Sequence, residues 1–174
     1  MPRYAAFLRG VNVGGVTLKM AAVADALRGA GFTDVKTLLA SGNVVLDSPS
    51  DTATVRATAE RALRDEFGYD AWVLVYDLAT LGALSAAYPF PREVDGHHSY
   101  ITFVSDDAVL AELSELADLP GDGEKIEPGD GVIYWQVRRA NTLDSSMGKT
   151  MGKKRYKSST TTRNLRTIDK VLRG

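Results

Sequence analysis

Hydrophobic and polar positions alternate along this chain with two periods, and the switch between them marks out the elements. Residues 4–8, Tyr-Ala-Ala-Phe-Leu, have no polar member, which predicts a central strand buried on both faces. Met20, Val23 or Ala24, and Leu27 recur at helical spacing, so a first helix is expected with Thr17 near its N-cap and Gly29 and Gly31 at its end. Residues 35–39 and 44–47 read as strands joined by Ala40-Ser41-Gly42-Asn43, because Gly and Asn accept the positive φ of hairpin turns. Ser50 or Asp51 caps a second helix whose inner face is Val55, Ala59, Ala62 or Leu63, and Phe67, with Gly68 as its stop. Residues 71–76 form a fourth strand.

The order β-α-β-β-α-β over residues 3–76 is the ferredoxin-like split βαβ signature, for which a strand order of 4-1-3-2 is expected. The fourth strand then lies at an edge while being apolar on both faces, so something must cover it. The second half of the chain is the nearest candidate. A third helix follows, capped by Asp77, and Pro89-Phe90-Pro91 ends it. The second half reads as a strand at 98–104, a helix from Asp106, a hairpin of residues 125–127 and 132–137, and a last helix from about Thr162. The fold class is α+β: a ferredoxin-like half over residues 1–77, then a smaller α+β half over 78–174.

Composition narrows the function. No apolar run approaches the ~18–20 residues of a membrane span, and Met1-Pro2-Arg3-Tyr4 enters a strand without a signal-peptide pattern. Cysteine is absent from the 174 residues, which excludes disulfides and thiolate chemistry. A cytoplasmic protein without membrane contact, monomer or homodimer, is expected.

The net charge of −1 hides an asymmetry. Residues 1–137 carry 10 Lys and Arg against 20 Asp and Glu, a net of −10, while residues 138–174 carry 11 against 2, a net of +9. Either a polyanion binds the tail or the tail covers an acidic surface.

Two surfaces are candidates for binding. In the expected topology the loop Arg9, Gly10, Asn12, Gly14 and Gly15 lies beside the turn carrying Ser41 and Asn43, a polar cluster over backbone N–H groups that suits phosphate or carboxylate. The plainer reading is that these residues shape their own loops. The second surface is basic: Lys149, Lys153, Lys154, Arg155 and Lys157 surround Tyr156, which could stack on a base. Thr161, Thr162, Arg163 and Asn164 follow, and hydroxyls, helix N–H groups and guanidinium together grip phosphates. The alternative is that the threonines cap a helix and the lysines keep the tail soluble.

Other motifs fall short. Val16 stands where a phosphate-binding loop from Gly10 would need Lys, and Gly148-Lys149-Thr150 lacks its first Gly. His97 and His98 point to opposite faces of a strand, so no metal is expected. Neither a cofactor nor a catalytic residue can be assigned.

Phe7-Leu8-Arg9-Gly10-Val11-Asn12-Val13-Gly14-Gly15, Lys19-Met20, Ser41-Gly42-Asn43-Val44 and Thr161-Thr162-Arg163-Asn164 together resemble the bacterial family called domain of unknown function 1697. The resemblance implies a two-part α+β architecture and no established activity. Three functions remain open: a phosphate-bearing ligand, with nucleic acid first and a phosphorylated small molecule second; an enzyme acting on a small anionic metabolite at loop 9–15; and a structural or oligomerisation module using the apolar edge strand.

Overall fold

The computed structural model describes residues 2–9, 18–38, 42–68, 71–118, 124–138, 156 and 159–174. The chain is α+β and forms two compact units, residues 1–82 with 169–174 and residues 83–168. Each contains one four-stranded antiparallel sheet.

The first unit runs β1 (Arg3–Arg9), α1 (Met20–Gly29), β2 (Thr33–Leu38), β3 (Asn43–Asp47), α2 (Thr52–Phe67) and β4 (Trp72–Asp77), and α3 (Leu78–Ala86) begins within it. Its strand order is β2-β3-β1-β4, the 4-1-3-2 arrangement expected from the element order. Period-2 alternation sends Tyr4, Ala6, Leu8, Val44, Leu46, Val73 and Val75 into a core with Val23, Leu27, Val55, Ala59 and Leu63 of the two helices. The opposite face is apolar too, with Ala5, Phe7, Val45 and Leu74 all buried. α2 has the expected ends. Asp51 Oδ1 accepts from Thr54 N at 2.8 Å, and Gly68 closes it at φ 65°, where a Cβ would be strained. α1 departs from expectation. Its N-cap is Lys19, with no side-chain cap bond, and the anticipated cap Thr17 lies outside the described residues.

The second unit contains β5 (His97–Val104), α4 (Asp107–Ser114), a 3-10 turn (Glu115–Asp118), β6 (Lys125–Pro128), β7 (Val132–Arg138) and β8 (Thr160–Asn164), in sheet order β6-β7-β5-β8. The final helix α5 (Leu165–Arg173) begins here, and residues 169–174 belong to the first unit. Val109 and Leu113 of α4 pack on Val104, Ile133, Trp135 and Val137.

β8 is a correction to the sequence reading, which placed a helix from about Thr162. Residues 160–164 pair with β5 from Val104↔Thr160 to Tyr100↔Asn164. Threonine suits a pleated strand, and its partner lies some sixty residues earlier, beyond the reach of local patterns. The helix starts only at Leu165, where Asn164 Oδ1 accepts from Thr167 N at 2.8 Å.

Candidate functional site

The edge of the first sheet is already occupied. α2 places Arg56, Glu60 and Arg64 four residues apart, so one stripe of the helix faces β4. Val73 N donates to Glu60 Oε2 at 3.0 Å, and Arg64 donates to Ala71 O through Nε at 3.2 Å and Nη2 at 3.0 Å. Arg56 lies 5.7 Å from the centre of the Trp72 ring and 3.5 Å from Glu60. Charged side chains therefore satisfy edge groups that could otherwise pair with another strand. Burial pushes the nearby Tyr76 hydroxyl up to about 12, against a smaller pull from Arg56.

At the same end of β1 but on its other side, Leu8 N donates to Gly42 O at 2.8 Å, and Phe7 faces Asn43 across the β1–β3 pairing. Gly42 thus adjoins the C-terminal end of β1. Asn43 is fully buried, with Nδ2 donating to Leu38 O at 2.9 Å, so its amide closes the β2–β3 turn. Gly10, Asn12, Gly14, Gly15 and Ser41 lie outside the described residues, as does the Arg9 side chain.

The second sheet is built differently. Thr102 is buried at the centre of β5, where its Oγ1 accepts from Trp135 Nε1 at 2.9 Å and lies 2.8 Å from Thr162 Oγ1. On the opposite face, buried Gln136 donates through Nε2 to Pro91 O at 2.7 Å and to Ser99 Oγ at 3.0 Å. Tyr88 donates to Trp135 O at 2.8 Å, and its burial raises the hydroxyl to about 12, with hydrogen bonding the largest opposing influence.

Strand alternation divides the four residues at 161–164 between two faces. Thr161 and Arg163 are buried together, with Arg163 Nη1 donating to Thr161 Oγ1 at 2.7 Å and to Thr162 O at 3.0 Å. Thr162 and Asn164 share the other face with Thr102 and Tyr100. No single cluster of all four forms.

That face carries an aromatic row that the sequence reading did not single out. The rings of Tyr100 and Trp135 are 4.5 Å apart and tilted by 32°, and the His98 ring is 5.5 Å from Tyr100. Tyr100 and Tyr156 are half-buried against the α4 core. The available signal was the alternation His98-x-Tyr100-x-Thr102 opposite a strand containing Trp135. Lys149, Lys153, Lys154, Arg155 and Lys157 lie outside the described residues.

A cleft of about 660 Å³ also opens beside α1 and α2, over Ala22, Ala26 and Ala62, with Asp25, Arg61 and Asp65 lining it. Its charged side chains are exposed and no buried polar group enters it. Among the described residues, no three His, Asp or Glu side chains converge as metal ligands, and no helix is long and apolar enough to cross a membrane.

These features define a two-unit α+β protein whose buried polar residues, among those described, are concentrated in its second unit. The chain belongs to the family described as proteins of unknown function (DUF1697), whose model matches residues 1–134. The matched region contains the glycine loop and ends before the 161–164 motif. Among solved structures, the chain is similar to the conserved bacterial protein SP0830 from Streptococcus pneumoniae. That match has 22% identity and a TM-score of 0.82, covering 99% of this chain and 97% of that one. At this identity the likeness speaks for the fold. No curated protein matches the sequence.

Proposed function

We propose that this protein binds a phosphate-bearing ligand, with nucleic acid the first candidate, through the basic stretch between β7 and β8. The observation that carries this reading is charge. Residues 138–157 contain seven Lys and Arg against the single acid Asp144, in a chain whose first 137 residues have a net charge of −10. Phosphate neutralisation by such groups supplies most sequence-independent affinity for nucleic acid.

The ends of the stretch support the reading as well. Arg138 pairs with His97 at the end of β7. At the return, Ser105 N donates to Ser159 O at 2.9 Å, and Thr160 Oγ1 donates to Tyr156 O at 2.8 Å. The basic residues are thus tethered at both ends to one sheet, which lowers the ordering cost of gathering them on a ligand.

The competing readings draw less support. For an enzyme site at the glycine loop, the described contact of a candidate residue is structural, the Asn43 amide donating to Leu38 O. An oligomerisation edge at β4 meets Glu60 and Arg64 in place.

The test is Lys153→Glu combined with Lys154→Glu. Affinity for a labelled oligonucleotide at ~50 mM salt should fall by about tenfold or more, while the melting temperature stays nearly unchanged. Unaltered affinity in a folded double variant would refute the reading.

A further inference from the structure

We propose that Tyr156 positions the basic stretch, so that the ligand is held by its phosphates and its bases are not read. The proposal rests on the phosphate-binding reading above and names the residue that gathers the charges.

Tyr156 is the one aromatic residue among residues 138–158. A ring among lysines suits stacking on a base, but this ring has another use. It is half-buried and packs against the cluster of Val104, Val109, Leu113, Ile133 and Trp135. Turning it out to meet a base would return that apolar contact to water.

The main chain at Tyr156 is held as well. Its carbonyl oxygen accepts from Ser159 N at 3.2 Å and from Thr160 Oγ1 at 2.8 Å. Thr160 is buried and pairs with Val104 of β5. Ser159 O accepts from Ser105 N at 2.9 Å and from Ser105 Oγ at 3.1 Å. Ring and carbonyl therefore attach Tyr156 to the second unit at two points.

Lys153, Lys154, Arg155 and Lys157 all lie within three positions of Tyr156 in the sequence. Consecutive Cα atoms are ~3.8 Å apart, so fixing Tyr156 confines these charges to a small volume before a ligand arrives. Each phosphate they meet then costs less conformational entropy. Charges gathered in this way neutralise phosphates whatever the sequence, and the one ring of the stretch is committed to the core.

The experiment follows the anisotropy of two labelled strands of equal length across a salt series, oligothymidylate and its abasic counterpart. The intact protein should bind both with closely similar affinity. Tyr156→Ala should weaken both by the same factor, about 3- to 10-fold. The slope of log K against log[salt] should stay unchanged, because no charge is lost. Tyr156→Leu keeps apolar bulk without an aromatic face and should restore most of the affinity. Thr160→Val removes the hydroxyl that holds the Tyr156 carbonyl and still suits a strand. It should weaken both ligands by a smaller common factor, so the test stands even if Tyr156→Ala fails to fold. A loss confined to the base-bearing strand, a leucine variant as weak as the alanine one, or unaltered binding in the folded variants overturns the positioning role and leaves the phosphate reading standing. Failure of the intact protein to bind either strand overturns both.

Discussion

The two sheets differ in what they bury. Around the first, the buried polar residues among those described are Asn43 and Ser48. In the second unit there are nine: Ser85, Ser99, Thr102, Glu124, Gln136, Thr160, Thr161, Arg163 and Thr167. The first sheet is apolar on both faces and keeps its charges at the β4 rim, where Glu60 and Arg64 satisfy edge groups. The second places hydroxyl, indole, amide and guanidinium groups within the sheet, where each must find a partner. A sheet of the first kind is a support whose chemistry belongs to its loops. One of the second kind fixes polar and aromatic groups in place through its own hydrogen bonds.

The sharpest way to break this comparison exchanges polarity between the sheets. Thr102→Val leaves Trp135 Nε1 and Thr162 Oγ1 without their shared partner and should cost about 1–3 kcal/mol in chemical denaturation. Val44→Thr introduces a hydroxyl into the fully buried apolar core of the first sheet and should cost a similar ~1–3 kcal/mol, because no partner awaits it there. A neutral Thr102→Val would mean that the buried hydroxyl contributes nothing and that the contrast is only one of composition.

Alkaline titration should show where the units behave alike. Tyr76 in the first and Tyr88 in the second are both raised from 10.0 to about 12, chiefly by burial. Their contribution to stability is complete below pH 10 and is lost as pH rises from 10 towards 12, because the unfolded state releases those protons first. Ultraviolet titration of Tyr76→Phe and Tyr88→Phe should each remove one late-ionising hydroxyl. A Tyr88 that ionised near 10 would show its surroundings to be wetter than this packing implies.

The smallest effect concerns the rim. Glu60→Ala removes the acceptor from Val73 N–H at a cost of about 1 kcal/mol. It should also increase self-association through β4, read by analytical ultracentrifugation. Unchanged association would show that β4 needs no such protection.

Much of the first unit was legible because its signals are local. Asp51, Gly68 and Asp77 mark helix ends by their own chemistry, and Asp77 does accept from Thr80 N at 2.8 Å. The element order alone carried the strand order. β8 was not legible, since Ser and Thr before a helical stripe suit a cap as well as a strand, and only pairing with β5 decides between them. For the same reason the 161–164 motif was visible but not its division between two faces. The Arg56, Glu60 and Arg64 spacing was present in the sequence, yet nothing local indicates that it would meet a strand edge.

The most direct test of the central claim, that the stretch joined to the second sheet binds phosphates, is fluorescence anisotropy of a labelled single-stranded oligonucleotide across a salt series. The account predicts that log K falls linearly with log[salt], with a slope of about −0.7 for each phosphate neutralised, or roughly −3 if four of the basic residues take part. Absence of binding at ~50 mM salt, where such contacts are strongest, would contradict it.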